Sequence, residues 1–467
     1  MKTDARETEP GSSMNPLNRL KRLGKPVYGW ALYDWANSAF ATTVIAGFFP
    51  IFFKSYWASG LDVNDSTAYL AFANSLSGLI VLFLAPILGA IADKASARKK
   101  FLIFFAYLGV LMTAALFFVH EGNWQLAALF YVIGGVGFSA GNSFYDSLIP
   151  EVAEEKDVDF VSGFGFSLGY LGGGLLFLVN VLMYLSPGSF GISDGVTAVR
   201  LAFVSVAFWW GLFTLFLVFW VDEESRQEDT VGNMDSIRQG LAELRETLGN
   251  IMKLPNTFLF LLAYFLYIDG VDTIIRMAVD YGLSLGFGQE DLITALLLVQ
   301  FVGFPAAIVY AKLGESWSVR KAIFLAIVVY MSITVLGIQM NSLTEFYALA
   351  VMVGLTQGGI QALSRSYYSR LIPKKQAGQF FGFYNMIGKS AVFIGPLIMG
   401  VVVLFVKFLL TDVIHYDGTE EEIANLSTRW SLASILLFFI GGGALFYFVD
   451  EEKGKEQLAA YEAELEE

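Results

Sequence analysis

Residues 28–40 read YGWALYDWANSAF and open an apolar run that continues through Phe53. On a helix, Trp30, Asp34, Asn37 and Ala41 follow at i, i+4, i+7 and i+11, so they share one face. That places a carboxylate and an amide on one stripe of a membrane-length segment. A charge at the centre of a spanning helix costs roughly 2.5–3.5 kcal/mol on insertion scales, so it faces a partner or a water-filled cavity in place of lipid. The stripe is therefore expected to point inward at a pathway, with Trp30, Tyr33, Asp34 and Asn37 lining it.

Composition agrees with this reading. The 467 residues are 55% hydrophobic and 16% charged, with mean hydropathy +0.58, values that belong to an integral membrane protein. The net charge of −13 carries little weight, because much of it lies in the tail after Asp450 and in polar connections. With no cysteine, disulfides and thiolate metal sites are excluded, and the two histidines, His120 and His415, sit near helix ends. No HExxH, GxSxG or carboxylate–histidine cluster is present, so no catalytic residue, metal or cofactor is expected and the chain is not read as an enzyme. The first 25 residues lack the apolar core of a cleaved signal peptide.

A helix needs about 20 residues to cross the hydrocarbon layer. Runs of that length fall at 27–53, 67–92, 101–120, 125–149, 160–185, 198–221, 256–282, 291–311, 322–340, 346–371, 380–408 and 429–449. The pattern predicts an all-α membrane protein with twelve transmembrane helices. Fifteen Lys and Arg residues in the connections fall on one side (Arg19, Lys21, Arg22 and Lys25 through to Arg370, Lys374 and Lys375), whereas Lys54, Arg200, Lys407 and Arg429 fall on the other. By the positive-inside rule both termini are expected in the cytoplasm. Lys156 is the weak point, since it lies amid acidic residues. The division expected is a cytoplasmic tail 1–26, a six-helix bundle 27–221, a linker 222–254, a second bundle 255–449 and an acidic tail 450–467. In the linker, Leu241, Leu244, Leu248 and Ile251 have helical spacing and predict an amphipathic surface helix.

The two bundles read as copies. NSFYDSLIP at 142–150 matches RSYYSRLIP at 365–373, and SGFGFSLG at 162–169 matches FGFYNMIG at 381–388, offsets of 223 and 219. A chance match between Gly- and Phe-rich helices is the rival. Parallel six-span repeats place a substrate site near the midplane between the halves.

Four further segments carry candidate chemistry. Gly89, Asp93, Lys94, Arg98 and Lys99 resemble the loop signature of the major facilitator superfamily, with Ser96 where that signature has Gly. Gly89 permits close helix approach, and Asp93 can pair with a cation or a helix N-terminus, so the loop is expected to latch the two halves. The alternative is that its cations only set topology. In YIDGVDTIIRMAVDYG (267–282), Asp269, Asp272 and Arg276 form a stripe, and Asp272 can pair with Arg276 at i+4, either as a structural pair or as part of a site. Gln357, Gln361 and Arg365 follow at i+4 steps, with a plain water-facing wall as the rival reading. Asn385 and Lys389 precede Gly395-Pro396, which is expected to kink or break its helix.

WALYDWANSAF, FFPIFF (48–53), FYDSLIPEVA, SGFGFSLGYLGGG, LTQGGIQALSRSYYSRLIP and FFGFYNMIGKSAVFIGP together resemble the vacuole-effluxer, autophagy-type branch of the major facilitator superfamily. The resemblance covers most of the chain. It implies the major facilitator fold of two six-helix pseudo-repeated halves, and amino-acid efflux is associated with its eukaryotic members. The expected function is a secondary active transporter in the cell (cytoplasmic) membrane, moving a small solute by alternating access. An amino acid or related zwitterion suits the mixed charges, with protons as a candidate coupling ion. Asp34 and Asp269 or Asp272 are candidates for proton coupling or amine recognition, and Arg276, Arg365 and Lys389 for an acidic group. The rivals are an exporter of amphipathic compounds or lipids and a non-transporting receptor or scaffold. Expected partners are the small-molecule substrate and the lipid bilayer; no nucleic-acid partner is expected, and the protein is expected to be a monomer.

Overall fold

The computed structural model describes residues 24–94, 97–153, 158–223, 245–373 and 377–466. In chain order the long helices are α1 (Lys25–Trp57), α2 (Val63–Lys94), α3 (Arg98–Phe118), α4 (Trp124–Ser147), α5 (Val158–Leu185), α6 (Gly195–Trp220), α7 (Pro255–Ser284), α8 (Gln289–Ser316), α9 (Val319–Gln339), α10 (Leu343–Ser369), α11 (Ala377–Phe408) and α12 (Glu420–Phe448), with α13 (Glu451–Glu466) after them. Among the described residues, ten helices are long and apolar enough to cross a membrane; α2 and α8, at 32 and 28 residues, equal them in length.

Local chemistry sets where the helices start. Ser342 with Glu345 and Thr419 with Glu422 form capping boxes at the heads of α10 and α12, and Asp194 accepts the Thr197 amide at the head of α6. Gly286, at φ +84°, makes the turn from α7 to α8 in a conformation that side chains disfavour. Helix α1 widens to π-helical turns over Phe40–Phe48, just before Pro50, whose ring would clash with the carbonyl four residues earlier in a regular helix. Of the expected linker, residues 224–244, including Leu241 and Leu244, lie outside the described residues; 245–252 is helical, with Ile251 fully buried.

Helix α1 packs on α5 and α6, and α7 packs on α11 and α12. The pairs α3–α4, α2–α4 and α3–α6 have counterparts in α9–α10, α8–α10 and α9–α12, six helices further on. Contacts from α1–α6 to α7–α12 run mainly through α2–α11, with smaller contributions from α1–α7 and α5–α8. One apolar core fills α1–α6 and extends into α7–α10 at residues such as Val279, Tyr281, Leu292 and Phe346, near the α7–α8 and α9–α10 turns. A second core lies within α7–α13 and touches α2 at Ala71. The acidic tail, α13, is docked: Glu451 pairs with Arg370 at 3.6 Å and Gln457 accepts the Asn256 amide at 3.0 Å.

Pro396 does not break α11, which continues through it. The Gly395 amide beside it donates to both oxygens of Asp269, at 2.9 and 3.1 Å, so the carboxylate of α7 holds α11 at the point where proline weakens the backbone ladder.

Candidate functional site

The expected lining residues of α1 separate on inspection. Trp30 is buried, stacks on Tyr145 of α4 at 4.2 Å and donates its indole N–H to the Tyr145 carbonyl at 2.9 Å. Tyr33 is fully buried, and Asn37 donates to Asn142 of α4. These three are buried and pack α1 against α4. Asp34 remains partly exposed, with Ser38 Oγ donating to it at 3.4 Å and Asp146 of α4 close enough to act on it electrostatically. On α5, a Cβ at Gly169 would lie 3.1 Å from the Asp34 carboxyl carbon, so glycine is what admits the carboxylate between α1 and α5.

On α7, Asp269 is fully buried and committed to Gly395, with Thr273 Oγ1 donating at 3.4 Å. A Cβ at Gly395 would lie 2.7 Å from Asp269 Oδ1. Asp269 is thus a fastening between α7 and α11 in this structure. Arg276 does not pair with Asp272: among the described residues no ion pair within 4.0 Å joins them. Arg276 donates instead to Asn74 Oδ1 of α2 at 3.3 Å, and the same oxygen accepts from Tyr131 of α4 at 2.7 Å. Asn74 is buried; its amide N–H donates to the Leu70 carbonyl of its own helix at 3.1 Å, while its oxygen accepts from other helices, which periodicity does not reveal.

Asp272 and Arg365 are both partly exposed. Arg365 of α10 acts electrostatically on Tyr145 of α4 as well as on Tyr264 and Tyr384 of α7 and α11, so its charge is felt on both sides of the α1–α6 and α7–α12 divide. Tyr384 stacks between Tyr264, at 4.3 Å, and Tyr368, at 4.9 Å. Gln361 is partly exposed one turn from Arg365, while Gln357 turns to a cavity of ≈ 120 Å³, mostly apolar, with Ile274, Met277, Val299, Leu349 and Val353 among its lining. Asn385 and Lys389 lie on α11; their side chains are outside the described part of the structure.

The loop signature divides similarly. Gly89, Asp93 and Lys94 end α2, with side chains outside the described part, and residues 95–96 are not described. Arg98 reaches the Ser147 carbonyl at 3.2 Å and Glu151 at 3.8 Å, Lys99 reaches the Val221 carbonyl at 2.5 Å, and Glu223 accepts both backbone amides at the head of α3. These contacts fasten α3 to the ends of α4 and α6.

Residues 58–405 match the protein family described as vacuole effluxer Atg22 like. The chain belongs to that family. An uncharacterized MFS-type transporter, YxiO of Bacillus subtilis, is 39% identical over 93% of this chain and 96% of its own length. Autophagy-related protein 22 of Kluyveromyces lactis is 22% identical over 92% of this chain and 94% of its own. Among solved structures, a bacterial homolog to the human lysosomal transporter Spinster, inward-facing and unoccupied, superposes with a TM-score of 0.61 at 16% identity, covering 96% of this chain and 99% of that one. A D-xylose–proton symporter superposes with a TM-score of 0.61 at 14% identity, covering 92% and 99%. The family member therefore has the all-helical fold of solved MFS-type transporters.

Proposed function

We propose that this protein is a secondary active transporter, not an enzyme, that moves a small solute by alternating access between two six-helix bundles, 27–221 and 255–449, joined by the linker 222–254. Both termini are assigned to the cytoplasmic side. The observation that carries the reading is that helix pairings recur six helices on, while Asp34, Asp272, Arg276 and Arg365, of both signs, remain partly exposed within the helices. Asp34 and Asp272 are the carboxylates for a proton or an amine. Arg276, Arg365 and Lys389 serve an acidic group, with Gln361 and Asn385 as candidate polar partners of the solute, and Asp93 is the latch at the α2–α3 loop. A zwitterion such as an amino acid fits this charge set. The apolar cavity beside Gln357 favours, as a second reading, an amphipathic solute.

Asp34→Asn separates the roles, since it keeps shape and removes charge. In reconstituted vesicles, proton coupling predicts loss of gradient-driven accumulation with solute exchange surviving. Amine recognition predicts loss of binding itself, read as a lost thermal shift against a solute panel. A variant that binds and accumulates like the parent would remove Asp34 from the site.

A further inference from the structure

A buried ion pair between α1–α6 and α7–α12 lies outside the site described above. Lys54, near the end of α1, pairs with Asp280 of α7 at 2.8 Å, and Asp280 is 1% exposed. The ammonium also donates to Thr67 Oγ1 of α2 at 2.8 Å, Ser284 Oγ of α7 at 2.5 Å and the Asp280 carbonyl at 3.3 Å. Thr67 and Ser284 hydroxyls lie 3.3 Å apart across the same divide. Lys54 is thereby satisfied, whereas neither carboxylate oxygen of Asp280 has another hydrogen-bond donor among the described residues. The carboxylate is tolerated there only because Lys54 stands beside it.

We propose that Lys54 and Asp280 form a buried charge latch that holds shut the end of the protein at the α1–α2 and α7–α8 turns, and that opening of this end requires separating and hydrating the pair. This rests on the alternating-access reading and deepens it. A buried pair is close to neutral against an apolar pair of similar volume, but removing one partner strands the other charge out of water. The latch is consequently asymmetric. Loss of either charge favours the open, hydrated form, whereas replacing both with apolar side chains favours the closed form, because opening then exposes apolar surface and hydrates nothing.

The test places spin labels at Gly60→Cys and Glu290→Cys, exposed positions on the two turns, and measures the inter-label distance in the full-length protein in lipid. The chain has no native cysteine, so only these sites are labelled. Lys54→Met and Asp280→Asn are each expected to raise the long-distance population at least about tenfold. Lys54→Met/Asp280→Leu is expected to return it to the parental level or below, with transport lost. Should a single variant fail to fold, the double variant and the remaining single still decide. Single variants that keep the parental distances while transport continues overturn the latch and leave alternating access standing. One fixed distance in every variant, with transport intact, overturns both.

Discussion

The two ends of the helical bundle differ in the ties the described residues make. At the α1–α2 and α7–α8 turns the polar ties cross from α1–α6 to α7–α12: Lys54 to Asp280, Lys407 to Asp62 at 3.0 Å, and Tyr184 to Gln289 at 3.1 Å. The first apolar core crosses there too. At the other end, ties among the described residues include ones inside each half: Arg98 and Lys99 with α4 and Glu223, Arg370 with Glu451, and Arg320 with the Tyr447 carbonyl at 2.7 Å. Cross-ties resist separation of the two sets; internal ties only stiffen each set. On the proposed alternating-access reading, the cross-tied end is the shut one.

That contrast can be broken by variants at each end. Glu223→Ala removes the acceptor of two amides at the head of α3, and losing a helix-end carboxylate costs about 1–2 kcal/mol. The expected result is a lower unfolding temperature with no change in the Gly60–Glu290 distance. A shifted distance would mean that the internal ties also govern opening, and the contrast would fall.

A smaller effect sharpens the difference between buried and exposed ties at the shut end. Lys407 pairs with Asp62 and Asp65, whose side chains are 43% and 39% exposed, and exposed pairs contribute about 0–1 kcal/mol. Lys407→Met should therefore change the distance distribution far less than Lys54→Met. Partial burial pushes the Asp62 carboxyl up, but the Lys407 bond and the Asn64 amide outweigh it and hold it below the usual carboxylate range. A lowered folded value contributes stability above the ordinary Asp pKa of about 3.9 and loses it as pH falls through the folded value. Thermal unfolding of parent and Lys407→Met should accordingly differ by a constant small amount above about pH 5 and converge in acid. A difference that grows in acid would contradict the pairing.

Much of this organisation was legible in the sequence because it is local. Length and apolarity gave the helices, and the i+4 stripe on α7 marked a polar face. The i+4 steps on α7 run on from Asp272 and Arg276 to Asp280, but its partner Lys54 is 226 positions away, so nothing local marks the pair. Periodicity tells which residues share a face but not what that face meets. Trp30, Tyr33 and Asn37 share Asp34's neighbourhood yet pack on α4, and Asp269 shares Asp272's stripe yet fastens Gly395. Asp146 stood within a quoted repeat motif, NSFYDSLIP, but nothing along the chain brings it to Asp34; only the packing of α4 on α1 does.

The central claim is that one end opens as the other shuts, and distances at both ends test it in one preparation. Labels at Gly60→Cys and Glu290→Cys report the cross-tied end, and labels at Lys100→Cys and Lys321→Cys, both exposed, report the opposite end. Moving from the parent to Lys54→Met should lengthen the first distance and shorten the second. Two distances that lengthen together, or a second distance that ignores the first, would contradict alternating access in this protein.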